Sequence, residues 1–163
     1  MPYALRPFRS DDAARLSEIF AEAVRVVGAR GYSPEQVAAW AARSPAAEER
    51  VLERVSTGAW IMVAVDANDV PVAYALLEPD GHLDHLYCHP DHTRKGLADS
   101  LLKASEVQAR KWRCNRLYTE ASELARPAFA RAGYHVTQRR DFSIEHAGQD
   151  VSIHNYAMEK HLD

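Results

Sequence analysis

Residues 82–111 read HLDHLYCHPDHTRKGLADSLLKASEVQARK, and this stretch decides how the rest of the chain must fold. Its first part, Leu83 to Cys88, is typical of a β-strand, and a polar His-Pro-Asp-His loop follows it. From Leu97 onward apolar residues recur every three or four positions, which predicts a long amphipathic helix with one face in a core. The residues predicted to form that face are Leu97, Leu101, Leu102, Ser105 and Ala109.

The beginning of this helix has the features of a phosphate-binding turn. The first amides of a helix have no acceptor within the helix and lie at the positive end of its dipole. Gly96 and Ala98 leave the backbone uncovered, so a diphosphate could lie directly against main-chain amides, and Arg94 and Lys95 add positive charge there. The alternative is an ordinary junction between a loop and a helix, with a solvated basic pair.

The same residues resemble the acetyl-CoA-binding motif of the GCN5-related N-acetyltransferases (GNAT), which is written Gln/Arg-x-x-Gly-x-Gly/Ala. In this chain the window 93–98 reads TRKGLA, so Thr93 takes the first position of the motif. The backbone cradle is unaffected by that departure, because it depends on amides and on small residues rather than on the first side chain.

Length and composition are those of one globular domain. The chain has 163 residues, of which 47% are apolar, and we expect residues 1–163 to form a single domain. The net charge of −3 gives no support for nucleic-acid binding over the whole surface, and it slightly favours cationic partners. We find neither a signal-peptide pattern nor an apolar run that could cross a membrane, and there are only two cysteines, so we expect a cytoplasmic protein without disulfides.

The first third of the chain reads as one strand and three helices. Alternation predicts a strand over Tyr3–Phe8. Ser10 is the expected N-cap of a helix that ends near Gly28 or Gly31 and buries residues up to Val27. A second helix begins at Ser33, where Pro34 and Gln36 complete a capping box. Ser44 and Pro45 again place a serine cap before a proline, and they predict the start of a third helix that runs through Val55.

The remainder alternates between β-rich and helical segments. We expect strands over Trp60–Asp66, Val70–Leu77, Leu83–Cys88 and Arg116–Glu120, a helix over Arg126–Ala132, and a last hairpin of Tyr134–Ile144 and Val151–Glu159 joined by the loop 146–150. The element order β-α-α-α-β-β-β-α-β-α-β-β predicts an α/β (α+β) fold. In it a mixed sheet carries helices on its faces.

That order extends the resemblance to GNAT enzymes over nearly the whole chain. Residues 117–122 and 125–134 are similar to a second conserved block of the family, and Tyr32–Gln36 together with Trp40 resembles the YafP-like branch. The resemblance implies a GNAT-like, mostly antiparallel twisted sheet with helices on both faces. It also implies an acetyl-CoA-dependent N-acetyltransferase that acts on a primary amine by direct attack on the thioester.

The resemblance also implies which residues bind acetyl-CoA. The pantetheine amides would pair with the backbone of Leu86, Tyr87 and Cys88, and the diphosphate would take amides from Arg94, Lys95, Gly96, Leu97 and Ala98. Ser122 stands where many relatives have an asparagine that contacts the cofactor. Phe129 also belongs to this set, and Arg126 and Arg131 are more remote options.

Acetyl transfer requires an amine that has lost its proton. A free amine of the lysine type has a pKa of about 10.4 and is therefore protonated at neutral pH, so a base must remove the proton. We predict Asp84 and His82 as candidate bases, with Glu120 third. On an ideal strand His82 and Asp84 share a face and His85 points away. The alternative is that Asp84 accepts hydrogen bonds from loop amides and that His82 is a surface histidine.

Phe129 stands where many relatives have a tyrosine that acts as general acid, and phenylalanine cannot donate a proton. The donor is then Tyr87, Tyr118 or a water molecule, or the thiolate leaves without help. A non-catalytic acyl-CoA-binding sensor of the same fold is the alternative function. Tyr32 and Trp40 resemble residues on the acceptor side of the branch, where an aromatic wall suits an amine, although packing alone could account for Trp40.

A metal site is the third hypothesis, because five potential ligands cluster in sequence: His82, His85, Cys88, His89 and His92. A strand directs His82 and His85 apart, and no second pair stands at zinc-finger spacing, so we expect no metal. The acceptor remains open between a small molecule and a peptide. A homodimer is an open option, since an exposed final strand could pair with its copy.

Overall fold

The elements occur in the predicted order in this computed structural model, which describes residues 2–43 and 46–163. They are β1 (Ala4–Pro7), α1 (Ala13–Glu22), α2 (Pro34–Ala41), α3 (Ala47–Ser56), β2 (Trp60–Val65), β3 (Pro71–Leu77), β4 (Leu83–Cys88), α4 (Leu97–Lys111), β5 (Arg116–Ala121), α5 (Arg126–Arg131), β6 (His135–His146) and β7 (Gln149–His161). Within the described ranges no helix is both long enough and apolar enough to cross a membrane.

The strands form two antiparallel sheets that meet at one point. The first sheet has the order β1-β2-β3-β4 and the second has the order β5-β7-β6. Within the described ranges, a single parallel bridge between His82 and Tyr118 joins them, where the Tyr118 amide donates to the Gly81 carbonyl at 3.0 Å. A Cβ on Gly81 would lie 2.2 Å from the carbonyl oxygen of Arg116, so this close approach requires glycine.

Helices cover both faces of the first sheet, as predicted, because its strands are apolar on both sides. Leu16 and Ile19 of α1 pack with Val63 and Leu76 on one face. On the other face α4 packs through the predicted residues Leu97, Leu101, Leu102 and Ala109, and Ser105 is buried with them. β3 is therefore buried along its whole length, and it anchors β4, the strand that leads to the predicted phosphate turn.

The start of the first helix differs from the prediction. Ser10 is not the cap, since residues Ser10–Asp12 form a short 3₁₀ turn whose entry is held by the Asp12 carboxylate. Its Oδ2 accepts from the Arg9 amide at 2.8 Å, and both carboxylate oxygens accept from the Arg6 guanidinium. A buried ion pair across β1 thus replaces the hydroxyl cap, because a carboxylate can satisfy more donors than one hydroxyl.

The end of the first helix and the last hairpin also differ in detail. After α1 the chain widens into a π-helical segment, Ala23–Val27, and Val27 is only half-buried because it faces a cleft. The predicted loop 146–150 is a two-residue turn, in which Ala147 and Gly148 have φ of 52° and 77°. Positive φ at both positions is typical of the tight hairpin turn that matches strand twist, so β6 and β7 are longer than predicted.

The capping box of the second helix is confirmed. Ser33 Oγ accepts from the Gln36 amide at 3.2 Å, and the Gln36 side chain accepts from the Ser33 amide at 2.8 Å. The predicted cap of the third helix, Ser44 and Pro45, lies outside the described residues; α3 itself runs over Ala47–Ser56.

Candidate functional site

A cleft opens where β4 and β5 diverge beyond their single bridge. On the side of α4 it widens into a cavity of about 480 Å³, here called the α4-side cavity. On the side of the β6–β7 hairpin it widens into a second cavity of about 330 Å³, here called the hairpin-side cavity. Both cavities are lined by Trp40, Leu86, Tyr87, Ser122 and Ala125. Two ligands could therefore meet between the two sheets.

The turn before α4 presents free amides to the α4-side cavity. Arg94 and Gly96 have φ of 60° and 78°, and this left-handed turn delivers the chain into the helix. The first helical hydrogen bond runs from the Ser100 amide to the Gly96 carbonyl at 3.1 Å, so the preceding amides have no helical acceptor. A Cβ on Gly96 would meet nothing within 4 Å, which leaves space for a diphosphate against the backbone.

The predicted residues of this turn are divided between cavity and solvent. Arg94, Gly96, Leu97 and Ala98 line the α4-side cavity, and so does Thr93, whereas Lys95 is exposed and lies outside its lining.

The edge of β4 that faces β5 is available for pairing. β4 pairs with β3 through its other edge, with Leu86 opposite Ala75 and Cys88 opposite Ala73. Leu86, Tyr87 and Cys88 line the α4-side cavity, so an extended amide chain could add to the sheet there. Burial raises the pKa of Cys88 to about 11, which keeps this residue a neutral thiol at physiological pH.

Ser122 and Phe129 lie on the second sheet side of the cleft. Ser122 lines both cavities, and its Oγ accepts from the Ala125 amide at 3.1 Å at the start of α5. Phe129 lines the hairpin-side cavity and packs edge-on against Tyr134, with ring centroids 5.0 Å apart. The described site thus has an apolar ring where many relatives have the proton-donating tyrosine.

The two more remote arginines are placed differently from each other. Arg131 lines the α4-side cavity and is paired with Asp99 at 3.2 Å. Arg126 lines neither cavity, since it pairs with Glu123 at 2.8 Å and lies over the Tyr156 ring.

His82 is held between two carboxylates beside the bridge. Its Nδ1 donates to Glu78 Oε1 and its Nε2 to Glu120 Oε1, both at 2.7 Å, and its ring stacks on Tyr118. Burial lowers the pKa of His82, but the hydrogen bonds to Glu120 and Glu78 outweigh it and raise the pKa to about 9. The imidazole is therefore charged at neutral pH. His82 lines neither cavity, whereas Glu120 lines the hairpin-side cavity.

Asp84 also lines the hairpin-side cavity, where it is an ionised carboxylate. Burial raises its pKa, but hydrogen bonds from His85 and Arg54 outweigh that effect and hold the pKa well below its usual range. As the strand geometry predicts, His82 and Asp84 are neighbours, with Nε2 3.9 Å from Oδ1. His85 bonds to the buried Tyr74 hydroxyl at 2.9 Å, although its other ring nitrogen lies 3.5 Å from Asp84.

Of the two tyrosines considered as proton donors, only Tyr87 reaches the cleft. It lines both cavities and packs edge-on against Phe20, and burial raises the pKa of its hydroxyl, which stays protonated. The Tyr118 hydroxyl instead donates to Asp80 in the turn before β4, and Tyr118 lines neither cavity.

Tyr32 and Trp40 form one wall of the hairpin-side cavity. The buried Tyr32 hydroxyl donates to the His154 carbonyl at 2.8 Å and accepts from the Glu123 amide at 2.9 Å. Trp40 lies edge-on to Tyr32, with ring centroids 5.6 Å apart. The aromatic pair thus connects the helical segment to the loop before α5 and to β7.

The five residues considered as metal ligands are not gathered around one point. His85 bonds to Tyr74, and His92 bonds to the Tyr3 hydroxyl at 2.8 Å. Among residues 2–43 and 46–163, the one group of three or more potential ligands whose atoms all lie within 4.8 Å of one another is Glu78, His82 and Asp84. Both ring nitrogens of His82 are already bonded to carboxylates, so this group is an ion-pair cluster.

Several residues of the site were not anticipated from the sequence: Arg43, Arg54, Glu78, Glu123, Arg140, His154 and Asn155. Among these, only Glu78 could have been found from the local sequence, because Glu78 and His82 are four residues apart and stand at the two ends of one tight turn. The others come from distant segments, and only the folded chain brings them to the cleft.

Comparison with known proteins identifies a family. A sequence model described as an acetyltransferase (GNAT) domain matches residues 29–151. A crystal structure of a GCN5-related N-acetyltransferase from Rhodopseudomonas palustris is 35% identical and has a TM-score of 0.84, with 99% of this chain and 97% of that chain covered. The uncharacterized N-acetyltransferase YafP of Escherichia coli (strain K12) is 28% identical over 137 residues, 83% of each protein.

A structure of the PaiA N-acetyltransferase from Thermoplasma acidophilum, in complex with coenzyme A, has the same fold. It is 18% identical, with a TM-score of 0.77 over 99% of this chain and 100% of that chain. The family resemblance and the fold class predicted from the sequence are confirmed by these comparisons.

Proposed function

The chain belongs to the GNAT acetyltransferase family and is an acetyl-CoA-dependent N-acetyltransferase, and we propose that its amine acceptor attacks the thioester directly in the cleft between β4 and β5. The observation that carries this proposal is the pair of cavities that meet at Leu86, Tyr87 and Ser122. One cavity has a cradle of free amides, and the other has carboxylates. Acetyl-CoA and the amine would therefore approach the same point from opposite sides.

Acetyl-CoA would lie in the α4-side cavity. The amides of residues 94–98 would hold its diphosphate, with Arg94 as counter-charge, and the open space at Gly96 allows this close approach. The free edge of β4 at Leu86–Cys88 would pair with the pantetheine amides, and a β4 amide would polarise the thioester carbonyl. No residue of this set requires a metal ion.

Glu120 is our proposed general base. It lines the hairpin-side cavity, and it is held by His82 rather than by an arginine. Asp84 is the weaker base because Arg54 and His85 keep its pKa low, although its charge would attract an ammonium group. The charged imidazole of His82 donates one N–H to Glu120 and the other to Glu78, so it holds the Glu120 carboxylate in place but has no free nitrogen to accept a proton. The exposed Glu120 would therefore release the proton that it takes from the amine to water.

Tyr87 is our proposed proton donor to the departing thiolate. It is the tyrosine that lines both cavities, and its hydroxyl remains protonated at physiological pH. This role fits the position of Phe129, whose ring lines the hairpin-side cavity but has no proton to give.

The test combines acetyl-CoA titration with thiol release from a panel of amines. We expect Glu120→Gln to bind acetyl-CoA normally and to lower kcat by roughly 100-fold or more, the effect of removing a general base. The control is Glu145→Gln, an exposed carboxylate outside both cavities, which should leave kcat unchanged. An unchanged kcat in Glu120→Gln would exclude Glu120 as base, and absence of acetyl-CoA binding to the wild type would contradict the proposed site.

We also propose the wider setting of the activity. The whole chain, residues 1–163, would act as one acetyltransferase domain in the cytoplasm, on a small-molecule or peptide amine. β6 is an edge strand of twelve residues, exposed along much of its length, and it supports pairing in a homodimer. Light scattering after size-exclusion chromatography tests the dimer.

A further inference from the structure

The hairpin-side cavity contains charges of both signs. Asp84 of β4 and Glu120 of β5 line it, and so do Arg43, which follows α2, and Arg140 of β6. The net negative charge of the whole chain favours cationic acceptors, but the charges that a ligand meets in this cavity are a separate matter.

Each acidic residue of the cavity has a cationic partner, whereas neither basic residue has a carboxylate partner in the described ranges. Asp84 is paired with Arg54, and Glu120 is paired with the charged His82. In the described ranges, no carboxylate oxygen lies within 4.0 Å of the guanidinium of Arg43 or Arg140. A ligand in this cavity therefore meets uncompensated positive charge, which attracts an anionic group.

Arg140 is positioned as a binding group. Its Nη1 donates to Asn155 Oδ1 at 3.0 Å, and its guanidinium lies over the Phe142 ring, 5.4 Å from the centroid. The side chain is half-buried, and Asn155 and Phe142 also line the cavity. These contacts fix the planar guanidinium, whose remaining N–H groups suit the two oxygens of a carboxylate.

The sheet register gives the separation between Arg140 and the proposed base. Arg140 pairs with Asn155 of β7, and Glu120 pairs with Ala157, so they stand on opposite sides of β7 and two residues apart along it. Standard strand spacings place the two Cα atoms roughly 12 Å apart. Both residues line the hairpin-side cavity, and this separation leaves room for a small molecule with an amine at one end and an anion at the other.

Most of the remaining lining residues are aromatic or aliphatic, and they stand beside the polar Thr119, Ser122 and His154. The aromatic and aliphatic residues are Tyr32, Trp40, Leu86, Tyr87, Ala121, Ala125, Phe129, Phe142, Ile144 and Ile153. We propose that the acceptor is an amino acid with an apolar side chain, whose amine faces Glu120 and whose carboxylate binds Arg140. This inference rests on the proposed acetyl transfer and names its substrate class.

The test compares amino acids with their decarboxylated counterparts. Phenylalanine, leucine, methionine and tryptophan are each paired with 2-phenylethylamine or the corresponding amine, and thiol release gives KM and kcat. We expect kcat/KM to be roughly tenfold or more higher for at least one amino acid than for its amine. Arg140→Gln should remove this preference by raising KM for the amino acid and leaving that of the amine unchanged, because only the amino acid has the carboxylate.

Arg139→Gln is the matched control, because Arg139 is the adjacent arginine on β6, is exposed, pairs with Asp141 and does not line the cavity. It should leave both KM values unchanged. If each amine is acetylated with the same kcat/KM as its amino acid, the inference is overturned and the proposed function stands. The same holds if Arg140→Gln raises KM equally for the amino acids and the amines. Thiol release from none of these acceptors would also overturn it, and the acetyl-CoA titration then decides separately whether the proposed function fails.

Discussion

Replacing Gly96 by alanine separates the binding role of this residue from its backbone conformation. The chain provides a matched control in Gly148, which stands in the β6–β7 turn away from both cavities. Gly96 and Gly148 have φ of 78° and 77°, and an added Cβ at either position would meet no atom within 4 Å. An L-residue in this conformation costs about 1–2 kcal/mol, so both variants should lose the same stability. For a domain of this size that is a fall in Tm of roughly 2–8 °C.

The two variants should differ only in acetyl-CoA affinity. The Cβ of Gly96→Ala enters the space proposed for the diphosphate and moves it off the backbone amides. Loss of one hydrogen bond to a charged group costs about 1.5–3 kcal/mol, which raises Kd by roughly tenfold to 150-fold. Gly148→Ala should leave Kd unchanged. Calorimetric titration gives Kd and thermal unfolding gives Tm; equal Kd values in both variants and the wild type would refute the amide cradle.

Two further predictions concern groups that the structure buries. The pKa of His82 is raised from 6.5 to about 9, so its stabilisation is fully present below pH 6.5 and is lost as the pH rises through 9. In urea unfolding, His82→Gln should therefore cost about 1–3 kcal/mol at pH 6 and little at pH 10, and a cost that does not change with pH would contradict the ion-pair cluster. Tyr32→Phe leaves the Glu123 amide and the His154 carbonyl without their buried partner and should cost about 1–3 kcal/mol. Tyr134→Phe is its control, because the Tyr134 hydroxyl is buried without a partner among residues 2–43 and 46–163 and its removal should cost nothing; equal losses in both variants would contradict this reasoning.

The sequence could predict what is determined locally. The face of α4 follows from a repeat of apolar residues within one helix, and all five predicted residues are buried. The capping box at Ser33 and Gln36 is likewise complete within four residues. The free amides at Gly96 follow from a small residue at a helix start, and this is why the cofactor side of the cleft was the easier half to anticipate.

The acceptor side could not be predicted in the same way, because it is assembled from distant segments. Asp84 is a poor base because His85 and Arg54 both lower its pKa, and Arg54 lies thirty residues earlier in the chain. The register of the β6–β7 hairpin places Arg140 at the cavity. That register could not be derived from the sequence, because a five-residue loop was expected where the structure has a tight two-residue turn. The cap of the first helix was predicted wrongly for a similar reason. Asp12 rather than Ser10 holds the helix start because it binds Arg6, which lies on β1.

The single bridge between β4 and β5 has a consequence for the energetics of the whole molecule. Past the bridge at His82 and Tyr118 the two sheets form a wedge, and in the described part of the chain no main-chain ladder joins them there. An extended coenzyme arm in that wedge would act as a missing strand, so occupancy would convert two half-sheets into one continuous unit. Resistance of this protein to heat and to proteases is then tied to the supply of its own substrate.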